Sequence, residues 1–379
     1  MRSPAIWIAV ALTLVFVLPA AAQNSTPKPP SALEIAERFA PEFHQALGDH
    51  PRYDYITNFN FDGNWRGDDN WVNADEAKFP LKAYVYYSVI ETKTHYFLHY
   101  AVFHPRDYKG GDKRGPLLSE LLRQGAELGG KYDPTGKLGE AALAHENDLE
   151  GCLVVVAKSS AMDQMHVVYV ETVSHNRYLK YVTAFTVPAT SNRAIVHLEA
   201  EHPQLYIEPK GHGIEALDPG RQNPNGREIL VYEVGAEAGD PTVDREGAVP
   251  YQLVSLLDDL WPKAQNGANE TYGEARDYRA IKVQAMTVAG KSAQLETNSG
   301  SVGSAFLGKV GMPNAARPPW GWFDGDIGPN SAGEWFFDPA GTIKKHFGLG
   351  EAFSTVYTAN EFVTGSPTKT ALQPSKNRQ

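Results

Sequence analysis

The chain has a single cysteine, Cys152, so no disulfide can form within it and its stability must rest on a packed core, with or without a metal. Cys152 sits in an apolar run and reads as a small buried hydrophobe rather than a nucleophile. Positive charge is in short supply. Against 45 Asp and Glu there are 35 Lys and Arg, a formal net charge of −10, which excludes the basic footprint of a nucleic-acid binder. Past Leu18 no apolar run is long enough to span a bilayer. Also missing are a Gly-x-Ser-x-Gly elbow, a Gly-rich phosphate loop ending in Lys-Ser/Thr, a Cys-x-x-Cys pair and a His-Glu-x-x-His helix. These absences remove the common serine-hydrolase, nucleotide-triphosphatase, dithiol and zinc-protease readings.

What is present begins with a leader. Arg2, the apolar stretch Ile6 to Leu18 and Ala20-Ala21-Ala22 have the form of a signal peptide over residues 1–22, which implies a secreted or periplasmic protein. The Pro-rich residues 23–30 read as a linker, and 31–363 as one domain ahead of a polar, disordered tail, 364–379. Asn24 and Asn269 head glycosylation sequons. Ser31 and Glu34 form a capping box, and Leu33, Ala36, Ala40, Phe43 and Leu47 recur at helical spacing. After that, short β-branched and aromatic runs separated by turn residues dominate, as in "KAYVYYSVIET", "HYFLHYAVFHP", "CLVVVAK" and "MHVVYVETV". Only Leu117 to Gln124 and Tyr251 to Trp261 interrupt them with helical character. Strands in succession without helices between them predict a mainly β fold, an antiparallel β-sandwich with a few peripheral helices.

The densest chemistry is in "AHENDLEGCLVVV", where His145, Asp148 and Glu150 fall within six residues just before the apolar run. Residues two apart in an extended chain share a face, their Cα atoms roughly 6.6 Å apart, so Asp148 and Glu150 can aim at one point. His145, three back from Asp148, joins them only if the chain bends. Like charges held together are costly unless a proton or cation lies between them, and a divalent cation answers that cost. Two carboxylates and an imidazole suit Mg²⁺, Ca²⁺ or Mn²⁺, with Zn²⁺ also compatible. Spacing alone favours a solvated polar turn before a strand, since short acidic clusters are common. His212, between two glycines in "KGHG" after a strand, is a candidate fourth ligand or proton-transfer group.

Three other features have bland alternatives. His95, His99 and His104 lie in an aromatic hairpin and read as packing residues. "DGNWRGDDNWVN" from Asp62 fails as a calcium loop, because Arg66 occupies a ligand position and Asn73 replaces the closing glutamate. It reads as an aromatic-rich surface turn. Trp320, Trp322, Phe323, Trp335 and Phe336 form either a platform for a sugar or lipid head group or a corner of the core.

The pattern His145-x-x-Asp148-x-Glu150 resembles the Gly-His-Arg-His-Asp-Trp-Glu heptapeptide of the necrosis- and ethylene-inducing (NLP) proteins. It also resembles the His-x-Gly-Asp-Trp-Glu segment of their vacuolar-sorting-associated relatives, and the likeness spans Tyr84 to Leu217. The resemblance implies a β-sandwich with a divalent cation held by His145, Asp148 and Glu150, and a role in binding a glycan or lipid head group. In this sequence Ala144, Asn147 and Leu149 replace the motif's glycine, second histidine and tryptophan, and for its upstream aspartate Asp133 and Asp107 are the candidates. The alternative is a metal-dependent hydrolase of phosphoesters, esters or glycosides, with His212 as general base or acid. A structural envelope protein with an incidental acidic turn is the third reading.

Overall fold

A computed structural model describes residues 29–107, 145–186, 193–223, 225–244, 246–265, 275–277, 282–286, 292–296, 301–303, 306, 317–328 and 331–363. The leader, most of the linker, the helix expected at Leu117 to Gln124, Asp133, both sequons and the tail lie outside the described residues. The chain divides into two units, Met1–Ser31 and Ala32–Gln379, and every element named below belongs to the second.

Helix α1 spans Ala32–Arg38 and stops short of the Leu47 that helical spacing reached. Pro41 ends it, since proline offers no N–H and disfavours a helical residue before it. Phe43, Gln45 and Leu47 instead share the buried face of strand β1, Glu42–Ala46, and its exit, because their spacing fits a period of two as well.

The strands that follow are β2 (Tyr84–Thr92), β3 (His95–Asp107), β4 (His145–Ala157), β5 (His166–Ser174), β6 (Arg177–Val182), β7 (Leu198–Glu199), β8 (His202–Ile207) and β9 (Ile214–Ala216). After them come β10 (Ile229–Val234), β11 (Val249–Ser255), β12 (Ala275–Asp277), β13 (Lys282–Met286), β14 (Ser292–Glu296), β15 (Ser301–Gly303) and β16 (Val356–Ala359). Among the described residues, fourteen of them form one sheet whose main path is β6-β5-β4-β3-β2-β11-β10-β1-β8-β7, while β12 pairs with β15.

The fold is mainly β, but the expectation of a purely antiparallel sandwich needs correcting. β2 through β6 form antiparallel hairpins, as sequence neighbours do, yet β1 with β8, β10 with β11, β11 with β2 and β13 with β16 run parallel. Strands far apart in sequence, as β1 and β8, β11 and β2, and β13 and β16 are, carry no hairpin constraint on direction, and the link from β10 to β11, residues 235–248, is long enough to bring the chain back parallel. The pairing describes one large mixed sheet and does not itself establish two facing layers. The stretch Tyr251 to Trp261 also divides: Tyr251 to Ser255 belong to β11, and a helix, α2, runs from Leu260 to Gln265.

Both faces of β3 and β4 are covered. Phe97, Ala101, Phe103, Leu149, Leu153 and Val155 enter one apolar cluster, and Leu98, Tyr100, Val102, Cys152, Val154 and Val156 the other. A strand enclosed on both sides cannot alternate polar with apolar residues, which is why "CLVVV" is continuous. Cys152 is buried and free, and burial pushes its thiol pKa far up, as expected of a packing residue.

The aromatic C-terminal segment belongs to the first cluster. Trp320, Trp322, Phe323, Trp335 and Phe336 are all buried, so they are core and not an exposed platform. Trp335 and Phe336 lie on a short helix, α3 (Glu334–Phe337), which continues into α4 (Pro339–Phe347), capped by the Asp338 side chain and ended by Gly348 at φ +64°.

Candidate functional site

The motif residues lie within β4 itself, not before it. β3 and β4 pair from His95↔Ala157 down to Asp107↔His145, with Pro105 and Asn147 omitted from the ladder. Proline has no N–H to give a neighbouring strand, and opposite it Asn147 takes φ +62°, the left-handed region. That reversal breaks the alternation of β4 and supplies the bend that His145 requires. Asp107, His145, Asp148 and Glu150 then line one pocket, with Leu149, Trp322, His175, Asn176, Gly211 and Arg317 around them.

The two motif positions outside the pocket have another task. Asn147 donates from Nδ2 to the Gly67 carbonyl at 2.5 Å and accepts at Oδ1 from Asn70 Nδ2 at 2.6 Å. Glu146 Oε2 accepts the Trp71 N–H at 2.9 Å. The stretch from Asp62 to Asn73 is therefore lashed across the entrance of β4. Gly67, at φ +66°, lies so close to the Phe59 ring that a side chain there would collide with it. Asp62 accepts from the Asn64 N–H and from Asn73 Nδ2, while Asp68 pairs with Arg66 and Asp69 accepts from Asn64 Nδ2.

Around the pocket the charges are enclosed. Asp107, His145, Asp148 and Glu150 are all buried. His145 Nε2 lies 3.4 Å from Asp107 Oδ2. Burial pulls the His145 pKa down, but the hydrogen bond and charge of Asp107, with the charge of Asp148, raise it overall. The enclosed free volume is about 20 Å³, enough for one ion or one water.

His212 arrives from the loop between β8 and β9 at φ +54° and is fully buried. Its Nδ1 is 2.9 Å from Asp148 Oδ2, and its Nε2 is 3.3 Å from Asp54 Oδ1. Asp54 is fixed in turn by the Gly48 and Lys210 N–H groups, each at 2.7 Å. Burial alone would lower the His212 pKa, and the two aspartates together overcome it and hold it at about 10. Its ring stacks on that of His104, centroids 3.7 Å apart and planes 4° from parallel. His104 Nε2 meets Gln45 Oε1 at 3.0 Å, and burial followed by the His212 charge keeps the His104 pKa well below normal.

Ligand atoms of His104, Asp148 and His212 lie within 4.8 Å of one another, close enough to hold a metal. His99, by contrast, is a packing residue as the sequence suggested, bonded to Ser88 Oγ and the Trp335 carbonyl. Sequence reasoning missed Asp54, Asn176 and Arg317 altogether and took His104 for packing alone. Nothing local marks them, because strand register and long connections bring Asn176 and Arg317 to the pocket and Asp54 and His104 to His212.

No protein-family model and no curated protein matches the chain. Among solved structures, it is similar to necrosis and ethylene inducing protein 2 from the agent of cocoa's witches' broom disease, 16% identical over 61% of this chain and 76% of that one, TM-score 0.27. NLPPya in complex with glucosamine is 15% identical over 60% and 76%, TM-score 0.28. The non-toxic HaNLP3 is 14% identical over 60% and 77%, TM-score 0.26. Likeness at these scores carries no residue role to this chain. The distant resemblance to NLP proteins first read from His145, Asp148 and Glu150 is met by the comparison of structures.

Proposed function

We propose that the protein holds one divalent cation in the pocket of Asp107, His145, Asp148 and Glu150, and that this site recognises a glycan or lipid head group at its mouth. The observation carrying this reading is a cavity of one ion's volume enclosed by three carboxylates and an imidazole. Burying such groups is unfavourable without compensating charge; the His212 imidazolium beside Asp148 supplies part of it, and a divalent cation in the pocket would supply more. Their hard oxygen donors fit Mg²⁺, Ca²⁺ or Mn²⁺, and a volume this small leaves the protein, rather than many waters, to supply the ligands. The cation would attract oxygen atoms of a bound head group. The cavity cannot admit a sugar ring, so the ring would rest outside it.

The group His104, Asp148 and His212 is the competing metal set: among the described residues it is the group whose ligand atoms lie within 4.8 Å of one another, and it is the orientation of its rings that counts against it. A ring nitrogen binds metal through a lone pair in the ring plane, and two stacked parallel rings cannot both direct lone pairs at one ion between them. Both His212 nitrogens already face carboxylates. His212 fits better as an imidazolium that orients Asp148 from behind, as outer-shell partners of metal ligands do. The same enclosure weighs against His212 as a general base, so binding is favoured over hydrolysis.

Thermal melting with EDTA and then with Mg²⁺, Ca²⁺ or Mn²⁺ added back tests this. The wild type gains several degrees with at least one ion, about what binding at a hundred times Kd confers on a domain. Glu150→Gln loses the gain. His104→Phe, which preserves the stack without a ligand nitrogen, retains it. A gain abolished in His104→Phe and kept in Glu150→Gln would move the ion to the competing set.

A further inference from the structure

At the mouth of the enclosed cavity the fold holds two polar side chains up to solvent. His175 and Asn176 form a two-residue turn between the paired Ser174 and Arg177, with φ of +50° and +59°. Such turns favour asparagine and glycine, and a histidine fits the left-handed region less well. Asn176 braces the turn from inside. It is buried, its carbonyl accepts the Gly325 N–H at 2.6 Å, and its Oδ1 accepts from Arg317 Nη1 at 3.2 Å. His175 faces the other way. It lines the pocket, yet its side chain is 40% exposed, and its Nε2 meets Oε1 of Glu208, itself 36% exposed. Gly213 makes room for the pair: a Cβ there would stand 2.5 Å from Ser174 Oγ, 3.2 Å from Glu208 Oε1 and 3.3 Å from His175 Nε2. An ion pair this exposed contributes little to stability, so stability does not account for a histidine held in a costly backbone conformation.

We infer that His175 and Glu208 form the subsite on which the ligand's ring rests, and that the ligand offers them the hydroxyls of an uncharged sugar. A carboxylate has about four lone-pair sites, so Glu208 can keep its histidine and still accept from hydroxyls, while an imidazole exchanges a hydrogen bond with a hydroxyl in either tautomer. Glu208 adds negative charge outside a wall that already carries Asp107, Asp148 and Glu150, which disfavours a phosphate or carboxylate ligand. The apolar side chains of the pocket, Leu149, Val173 and Trp322, are buried and offer an apolar ligand nothing to cover. Only the ion occupies the cavity, and the ring stays outside it on the exposed pair. The inference deepens the head-group reading and rests on it for the cation, whereas the pair lies outside the proposed metal ligands.

Saturation-transfer NMR and calorimetry on the full chain, in Mg²⁺, Ca²⁺ and Mn²⁺ in turn, test it with glucose, galactose, mannose and glucose 6-phosphate. The wild type should bind at least one of the neutral sugars, and glucose 6-phosphate no tighter than glucose. His175→Asn, which suits the turn, and Glu208→Gln should each weaken that binding at least about tenfold. Metal uptake stays as in the wild type in Glu208→Gln, and the urea midpoint of His175→Asn is unchanged or higher, which a purely structural histidine would not combine with lost binding. Vesicles with and without a galactosyl diacylglycerol separate a lipid-borne sugar from a free one, and binding of either form that both variants lose supports the inference.

Sugar binding unchanged in either variant would show that His175 and Glu208 are an ordinary surface ion pair and overturn the inference. Tighter binding of glucose 6-phosphate than of glucose also overturns it. Metal binding without binding of any neutral sugar, free or lipid-borne, overturns it while sparing the metal reading. Sugar binding that both variants lose, in a wild type that takes up no metal, upholds the subsite and removes the metal reading.

Discussion

Asn147 has a task in this fold that its surroundings explain. Its backbone makes the reversal opposite Pro105, and its amide ties Gly67 and Asn70 to the strand. Asparagine is among the few side chains that enter the left-handed region easily and can still make both bonds. Asn147→Ala should cost about 1–3 kcal/mol, because it orphans buried groups on Asn70 and Gly67. Urea unfolding measures that cost. Metal affinity should fall in the same variant, since His145 and Asp107 depend on the reversal. A variant as stable as wild type with unchanged affinity would detach the turn from the site.

Residue identity pointed to Asp148 and Glu150, whose spacing of two is a strand signal and which line one pocket, and it showed that His145 needs a bend to join them. It could not reveal which residue provides the bend. Nor could it show that Asp107, one of two candidates for the upstream aspartate, pairs across the ladder with His145.

At the level of elements, β4 is braced from behind. Trp322 donates its indole N–H to the Leu149 carbonyl at 3.0 Å and lies against Gly151, between the ligand segment and the apolar run. A Cβ on Gly151 would stand 2.5 Å from Trp322 Cη2 and nearer still to the Tyr100 carbonyl. Backbone cannot move aside cheaply, so Gly151→Ala should destabilise by about 1–3 kcal/mol or more. The measurement is again the urea midpoint, and a shift near zero would mean that the strand relaxes freely.

The strands of the β2 to β6 hairpins were legible because β-branched and aromatic runs end in turn residues. Helix α3 was not, because "GEWFFDP" is too short and too apolar throughout to show a helical face, whereas α4 carried signals that went unread, Asp338 before Pro339 at its start and Gly348 after a basic last turn. Pro41 was the signal that should have divided the first helix from β1.

For the whole molecule, acid is a test of the core. His99 is fully enclosed, and burial pulls its pKa to about 4 against the opposing pull of its bond to the Trp335 carbonyl. Burial and the Lys158 charge take His95 to about 4 as well. Below 6.5 the unfolded chain takes up protons that these folded imidazoles refuse. Their contribution to stability is therefore present above pH 6.5 and lost as pH falls toward 4. Melting temperature should fall over that window, and less steeply in His99→Gln. Identical slopes would remove His99 from the acid response.

The mainly β class followed from pattern, whereas the parallel seam β2-β11-β10 did not, because β2 and β11 are far apart in sequence and the link between β10 and β11 is longer than a hairpin turn. The same distance hid Asp54 and Arg317.

All of this converges on one ion. Protein prepared without chelators, dialysed against Mg²⁺, Ca²⁺ or Mn²⁺ and submitted to elemental analysis, should carry one divalent ion per chain, and Asp148→Asn and Glu150→Gln should carry none. No bound metal in the wild type, or one ion per chain in both variants, would contradict the account.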